Sequence, residues 1–168
     1  MLRFFGVAAV IAGCGGFGVS LAASCRKEIS MLRKLIAAIQ EMEWELKYRM
    51  TELPELCEEA GNAATGMIRE IFFEMAGKLK RREVADLSAA FISLINQKGL
   101  PRRVKGNMKQ LAQCLGRYDL DGQLQGLESV RIQCRKDLQE LETDGIQYLR
   151  SYQTLALCAG VALSILLI

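Results

Sequence analysis

Charged residues are absent from 4–24 and again from 151–168, and every acidic residue of the chain lies between those stretches. A helix rises about 1.5 Å per residue, so ~20 apolar residues cross a ~30 Å hydrocarbon layer. The pattern therefore predicts a membrane span at 4–24, a polar domain at 25–150 and a second span at 151–168. Within the domain, apolar positions recur at steps of three and four, and glycine and proline punctuate them. The first helix runs from the membrane to about Arg49, with Ile29, Leu32, Ile36, Ile39, Glu43 and Leu46 on one line. Thr51 is the expected cap of a second, short helix that holds Pro54 in its first turn and ends near Gly61. A third is expected over 63–80, with Met67, Ile68, Ile71, Phe72, Met75 and Leu79 on its apolar face. A fourth covers 83–96, with Leu87, Phe91 and Leu94, and "KGLPRR" breaks it. A fifth covers 104–115, and "GRYDLDG" turns into the sixth. The fold class is all-α: an antiparallel bundle of about six helices, the first and last extending into the membrane.

The sixth helix carries the most regular pattern. Leu120, Leu124, Leu127, Arg131, Cys134, Leu138, Leu141, Gly145, Tyr148, Tyr152 and Leu155 alternate by four and three. Such a seam favours coiled-coil-like pairing. It continues into the C-terminal apolar stretch, so one helix of nearly fifty residues is expected. Both outer helices meet the membrane, so a pair made of them runs antiparallel. Aligning Cys25 with Arg150 sets Glu43 opposite residues near 132. Glu43 and Arg131 are the charged residues that interrupt the two seams, and the alignment predicts a structural ion pair between them. The other reading of these residues is that both heads snorkel to solvent.

Charge then sets orientation. Arg26, Lys27, Arg33 and Lys34 follow the first apolar stretch, against Arg3 alone before it, and Arg150 precedes the second. The positive-inside rule places the middle domain in the cytoplasm and both chain ends outside. A net charge of +3 spread along 168 residues argues against nucleic acid as a partner, while the basic cluster suits contact with membrane lipid. Six cysteines without C-x-x-C spacing, and no histidine, point away from a zinc site or a disulfide framework. An alternative reading makes the first stretch a signal peptide, with "LAASC" as a lipobox-like sequence. Cys25 would then anchor a lipid-linked, extracellular helical protein.

Three further features bear on chemistry. "GCGGFG" at 13–18 matches G-x-G-x-x-G, but no repeated strand-helix-strand pattern follows it. In a membrane helix, Ala9 with Gly13 and Ala12 with Gly16 form a small-residue face for close helix packing. The carboxylates Glu41, Glu43, Glu45, Glu55, Glu58 and Glu59 alternate with basic neighbours on helices, the pattern of a solvated face. No nucleophile has a base partner, so no catalytic site, metal or cofactor is expected. Trp44 and Tyr48, four residues apart, read as packing or docking surface.

The stretch "RKLIAAIQEMEWELKYRMTELPE" at 33–55 resembles the stage III sporulation protein AB family, through Leu35, Ala38, Gln40, Glu43, Glu45, Tyr48, Thr51 and Leu53. Leu115, Gly116, Asp119 and Gln123 match a second family pattern at the start of the last helix. The resemblance implies a non-enzymatic, membrane-anchored scaffold in a secretion-like channel complex between mother cell and forespore during endospore development. It implies a location in the mother-cell membrane around the forespore. The helical domain is similar to the cytoplasmic domains of type II secretion platform proteins. By that similarity the partners are a cytoplasmic hexameric ATPase of the same operon and other membrane proteins of the complex. Platform proteins carry two such domains, so homo-oligomerisation is a further expectation. Gln40, Glu43, Glu45, Tyr48 and Thr51 are family positions that either line a partner surface or brace helices one and two. Glu58 joins them as a candidate partner contact.

Overall fold

Each apolar period becomes a helix in the computed structural model, which describes residues 2–84, 86–116 and 119–167, with side chains described for 23–84, 86–116 and 119–143. The described residues form six α-helices and no strand. They are α1 (Leu2–Tyr48), α2 (Leu53–Ala63), α3 (Met67–Lys80), α4 (Leu87–Gln97), α5 (Arg102–Cys114) and α6 (Leu120–Leu167). The chain divides into two units, one made of Met1–Ile29 with Gln139–Ile168 and the other of Ser30–Leu138.

The first unit consists of the opening part of α1 and the closing part of α6. Among the described residues no helix is long and apolar enough to cross a membrane. The stretches expected as spans, 4–24 and 151–168, lie outside the described side chains except for Ala23 and Ser24. The small-residue positions Ala9, Ala12, Gly13 and Gly16 lie outside them too.

The second unit holds the core. α1 buries Leu32, Leu35, Ala38, Ile39 and Met42 completely, with Leu46 close behind. That set is broader than the single line of the periodicity argument, because Leu35, Ala38 and Met42 add a second apolar row beside Leu32, Ile39 and Leu46. A helix with a two-row apolar stripe covers a core instead of forming a narrow two-helix seam. α2 packs on α3, α4 on α5, and α3 touches α4. Phe72 of α3 and Phe91 of α4, both fully buried, meet with ring centroids 5.8 Å apart and planes at 54°. That tilted geometry suits the ring quadrupoles. Gly61 admits the Phe73 ring, whose carbons lie 3.1 Å from where a Cβ would stand. Each fully buried Leu, Ile or Phe contributes about 1.5–3 kcal/mol.

The helix starts refine the expected boundaries. α2 is capped by the extended residue Glu52 without a side-chain bond, so Thr51 is not its cap. Pro54 does stand in the first turn, where a missing N–H costs nothing. α2 continues past Gly61 to Ala63, and α3 begins only at Met67, after Gly66 at φ 64°. α4 begins at Leu87 and not near residue 83, because the Asp86 carboxylate accepts the Ala89 N–H at 3.2 Å. α6 begins just after Asp119, whose carboxylate accepts the Gly122 N–H at 3.1 Å.

Candidate functional site

Where α1 ends, the chain reverses within four residues. Met50 takes a left-handed conformation (φ 52°) that non-glycine residues seldom adopt. The reversal returns Thr51 over the last turn of α1, where its hydroxyl donates to Glu45 Oε2. Arg49 Nη1 donates to the other carboxylate oxygen at 3.1 Å. Glu45 itself is only 2% exposed. A buried carboxylate survives when donors satisfy its oxygens, and here the arrangement ties α1 to the segment entering α2. This is why Thr51 is unavailable as a helix cap.

Two rows over, Arg131 Nε of α6 donates to Glu43 Oε1 at 2.9 Å. The two side chains are 19% and 22% exposed, so the pair is largely shielded but reaches water at one edge. Glu128, one turn back on α6, stands 3.8 Å from the same guanidinium. Glu58 accepts from Lys80 Nζ at 2.6 Å and so ties α2 to the end of α3. Of the six candidate partner residues, Glu43, Glu45, Thr51 and Glu58 thus engage other residues of the chain. Gln40 and Tyr48 face outward.

Tyr48 is 66% exposed and sits beside Trp44, at 44%, with ring centroids 5.8 Å apart. Arg49 lies 5.0 Å over the Trp44 ring and Lys47 5.6 Å over that of Tyr48. Met50, 73% exposed, completes an apolar corner. Two rings with cations on their faces, beside an unshielded thioether, form the largest aromatic surface among the described residues.

A second polar junction escaped the periodicity argument. Asp137 of α6 accepts from Asn107 Nδ2 of α5 at 2.8 Å and from Gln133 Nε2 at 2.9 Å. Arg103 Nη1 reaches the Asp137 carbonyl at 3.4 Å. Asn107 is 3% exposed and lies on α5's apolar stripe with Val104, Met108 and Leu111. An amide on an otherwise apolar face was the available signal. Near the other end of α5, Gly126 of α6 comes so close that an added Cβ would stand 2.8 Å from Cys114 Cβ and Sγ.

Three thiols among the described residues are held protonated. Burial, with Glu58 nearby, pushes the Cys57 thiol up to about 12. Burial, with Asp137 nearby, does the same for Cys134, and burial raises Cys114 as well. A thiol so protonated is a poor nucleophile. Among the described residues no group of His, Cys, Asp and Glu is arranged to hold a metal ion.

The comparison with protein families decides the identity, since residues 3–168 match stage III sporulation protein AB (spore_III_AB). The chain belongs to the stage III sporulation protein AB family. No curated protein and no solved structure matches it. Membership implies a role in sporulation. Several positions that carry the likeness to this family are architectural here. Leu35 and Ala38 are fully buried, Glu45 and Thr51 join at the α1–α2 corner, and Leu115 is 1% exposed. Gly116 takes a positive φ of 73° beside Leu87, and Asp119 bonds the first turn of α6. Gln40 and Tyr48 are the family positions on this corner that leave side chains outward.

Proposed function

We propose that this protein is a non-enzymatic scaffold, anchored by two membrane spans, in a secretion-like complex between mother cell and forespore. Its helical domain stands on the cytoplasmic side and docks a hexameric ATPase through the corner formed by Trp44, Tyr48 and Met50. The observation that carries the docking assignment is the clustering at one corner of three of the five exposed large apolar side chains among the described residues. Exposed aromatic clusters of this kind mark interaction sites. The family match supports the sporulation setting. The charge-free stretches and the basic residues after the first one support the two-span topology. The uninterrupted helix of α1 through Cys25 favours an intact chain over one processed at that residue.

Site-specific photocrosslinking in sporulating cells tests the docking. Probes at Trp44 and Tyr48 are expected to capture the ATPase, and a probe at Ser93 on the exposed face of α4 is expected to fail. Capture from Ser93 with none from Tyr48 would move the interface elsewhere. Intact-mass analysis of the membrane fraction tests the anchoring, because a lipid-modified chain beginning at Cys25 would overturn the two-span topology.

A further inference from the structure

Two helices of this unit are sorted by charge. α5 carries Arg102, Arg103, Lys105 and Lys109 and no acidic residue. α2 is its inverse, with Glu55, Glu58 and Glu59, Glu52 at its cap, and no basic residue. Part of this charge is met within the chain, Glu58 by Lys80 and Arg103 by the Asp137 carbonyl. Among the described residues, Glu52, Glu55 and Glu59 have no ion-pair partner, and neither do Arg102, Lys105 and Lys109. Each trio steps by three and then by four, the spacing that lines side chains along one face of a helix. Glu52, Glu55 and Arg102 are exposed, and the other three are partly so. α2 turns Leu56, Cys57 and Ala60 inward, opposite its carboxylates. α5 meets α6 through Arg103, Asn107 and Cys114, which leaves the basic trio on its other flank.

The two stripes do not meet within one chain. α2 packs on α3 and α5 on α4, and α2 makes no contact with α5. We propose that they meet between copies: α2 of one chain lies on α5 of the next, with Glu52, Glu55 and Glu59 against Arg102, Lys105 and Lys109. Equal number, equal spacing and opposite sign are the complementarity of two surfaces that bind each other. A nucleic acid or a lipid surface engages α5 alone and leaves the α2 carboxylates without a counterpart. A second copy satisfies both stripes, and this decides the occupant. The two patches differ, so the contact is heterologous. Every added copy leaves one acidic and one basic stripe open, and the assembly grows until a ring closes. Copies held in one bilayer by the spans proposed above meet at high effective concentration, so a few surface ion pairs suffice. The contact takes its strength from that anchoring and does not depend on the Trp44–Tyr48 docking assignment.

The test uses the full chain, made separately with light and with heavy nitrogen, mixed, and reconstituted into liposomes of zwitterionic lipid. A carbodiimide then condenses each carboxylate with an amine it touches. Isotopically mixed peptide pairs, read by mass spectrometry, report contacts between copies. The expected product joins Glu55 of one copy to Lys105 of another, the central pair of the stripes whichever way the helices run. Reversing the flanks alone, as E52K/E59K or as R102E/K109E, leaves both reacting groups in place. Each variant is expected to lower the product roughly tenfold or more, with the thermal transition unchanged. A mixture of the two variants pairs reversed flanks with reversed flanks, and is expected to restore the product. Absence of the mixed Glu55–Lys105 product in the unmodified chain overturns the proposal. So does a yield no higher than that of Glu55 with Lys136, an exposed amine on α6. Failure of the mixture to restore what folded single variants lose overturns it as well. Loss of anchoring is read separately, by the intact-mass measurement above.

Discussion

Arg131 and Glu43, 88 positions apart in sequence, share a 2.9 Å hydrogen bond that joins α6 to α1. The pair lies between the regimes of exposed and buried ion pairs, so its value is set by partial desolvation as much as by attraction. Glu43→Gln and Arg131→Met are each expected to lower stability by about 1–2 kcal/mol, because the second strands the shielded Glu43 carboxylate and the first leaves Arg131 only its longer contact with Glu128. The double variant should recover part of that loss. Equilibrium denaturation of the full chain in detergent, analysed as a double-mutant cycle, measures the coupling. Additive losses would mean that the contact confers nothing.

The Glu45–Thr51 contact gives a separate expectation. Thr51→Val keeps the shape and removes the donor, at a cost of about 1–2 kcal/mol from leaving a buried oxygen short of a partner. The loss should be local, with faster amide exchange at 49–52 in hydrogen-exchange mass spectrometry. Unchanged exchange there would show that Arg49 alone holds the corner.

The thiols give a pH dependence with a definite sign. Cys57 and Cys134 ionise near 9.0 when unfolded and at about 12 when folded, raised first by burial and then by Glu58 and Asp137 respectively. The folded state therefore retains protons that the unfolded state loses above pH 9. Their contribution to stability is complete below that pH and declines as pH rises from 9 towards 12. The slope is about 1.4 kcal/mol per pH unit for each thiol. Denaturation midpoints measured across that window should fall less steeply in Cys57→Ala and Cys134→Ala than in the unmodified chain.

Glycine replacements should split in direction. Gly77 and Gly106, inside α3 and α5, have open space where a Cβ would go, so alanine should stabilise each by about 0.5–1 kcal/mol. Gly126→Ala drives a methyl into Cys114 and should destabilise by about 1–3 kcal/mol despite the same helical gain. Adding Cys114→Ala to Gly126→Ala should relieve only the sulfur contact, since the Cβ of residue 114 lies equally close. Thermal melts of the four variants decide it.

Periodicity carried most of the fold, because a two-row apolar stripe is visible whenever glycine or proline frames it. It located all six helices and the long final one. Boundaries failed where a side chain had a competing partner. Thr51 looks like a cap by residue type, yet Glu45 takes its hydroxyl, a contact that requires the turn at Met50. The start of α4 moved because Asp86, not the preceding charged residues, offers a cap. At the corner, sequence grouped five residues by family pattern, Gln40, Glu43, Glu45, Tyr48 and Thr51, but only geometry separates those that brace the helices from those that face outward. The Asp137 junction stayed invisible because a long-range amide–carboxylate contact has no period. Asn107, polar among Val104, Met108 and Leu111, was its one trace.

The separation of 88 residues between Glu43 and Arg131 also sets a timetable for synthesis. At about 5–20 residues per second, α1 waits on the order of ten seconds before the ribosome releases the portion of α6 that will bond to it. The α2–α3 and α4–α5 hairpins can close during that delay, since their partners are sequence neighbours. Chaperone occupancy on nascent chains should therefore be highest over the end of α1 and should fall once residue 131 has emerged.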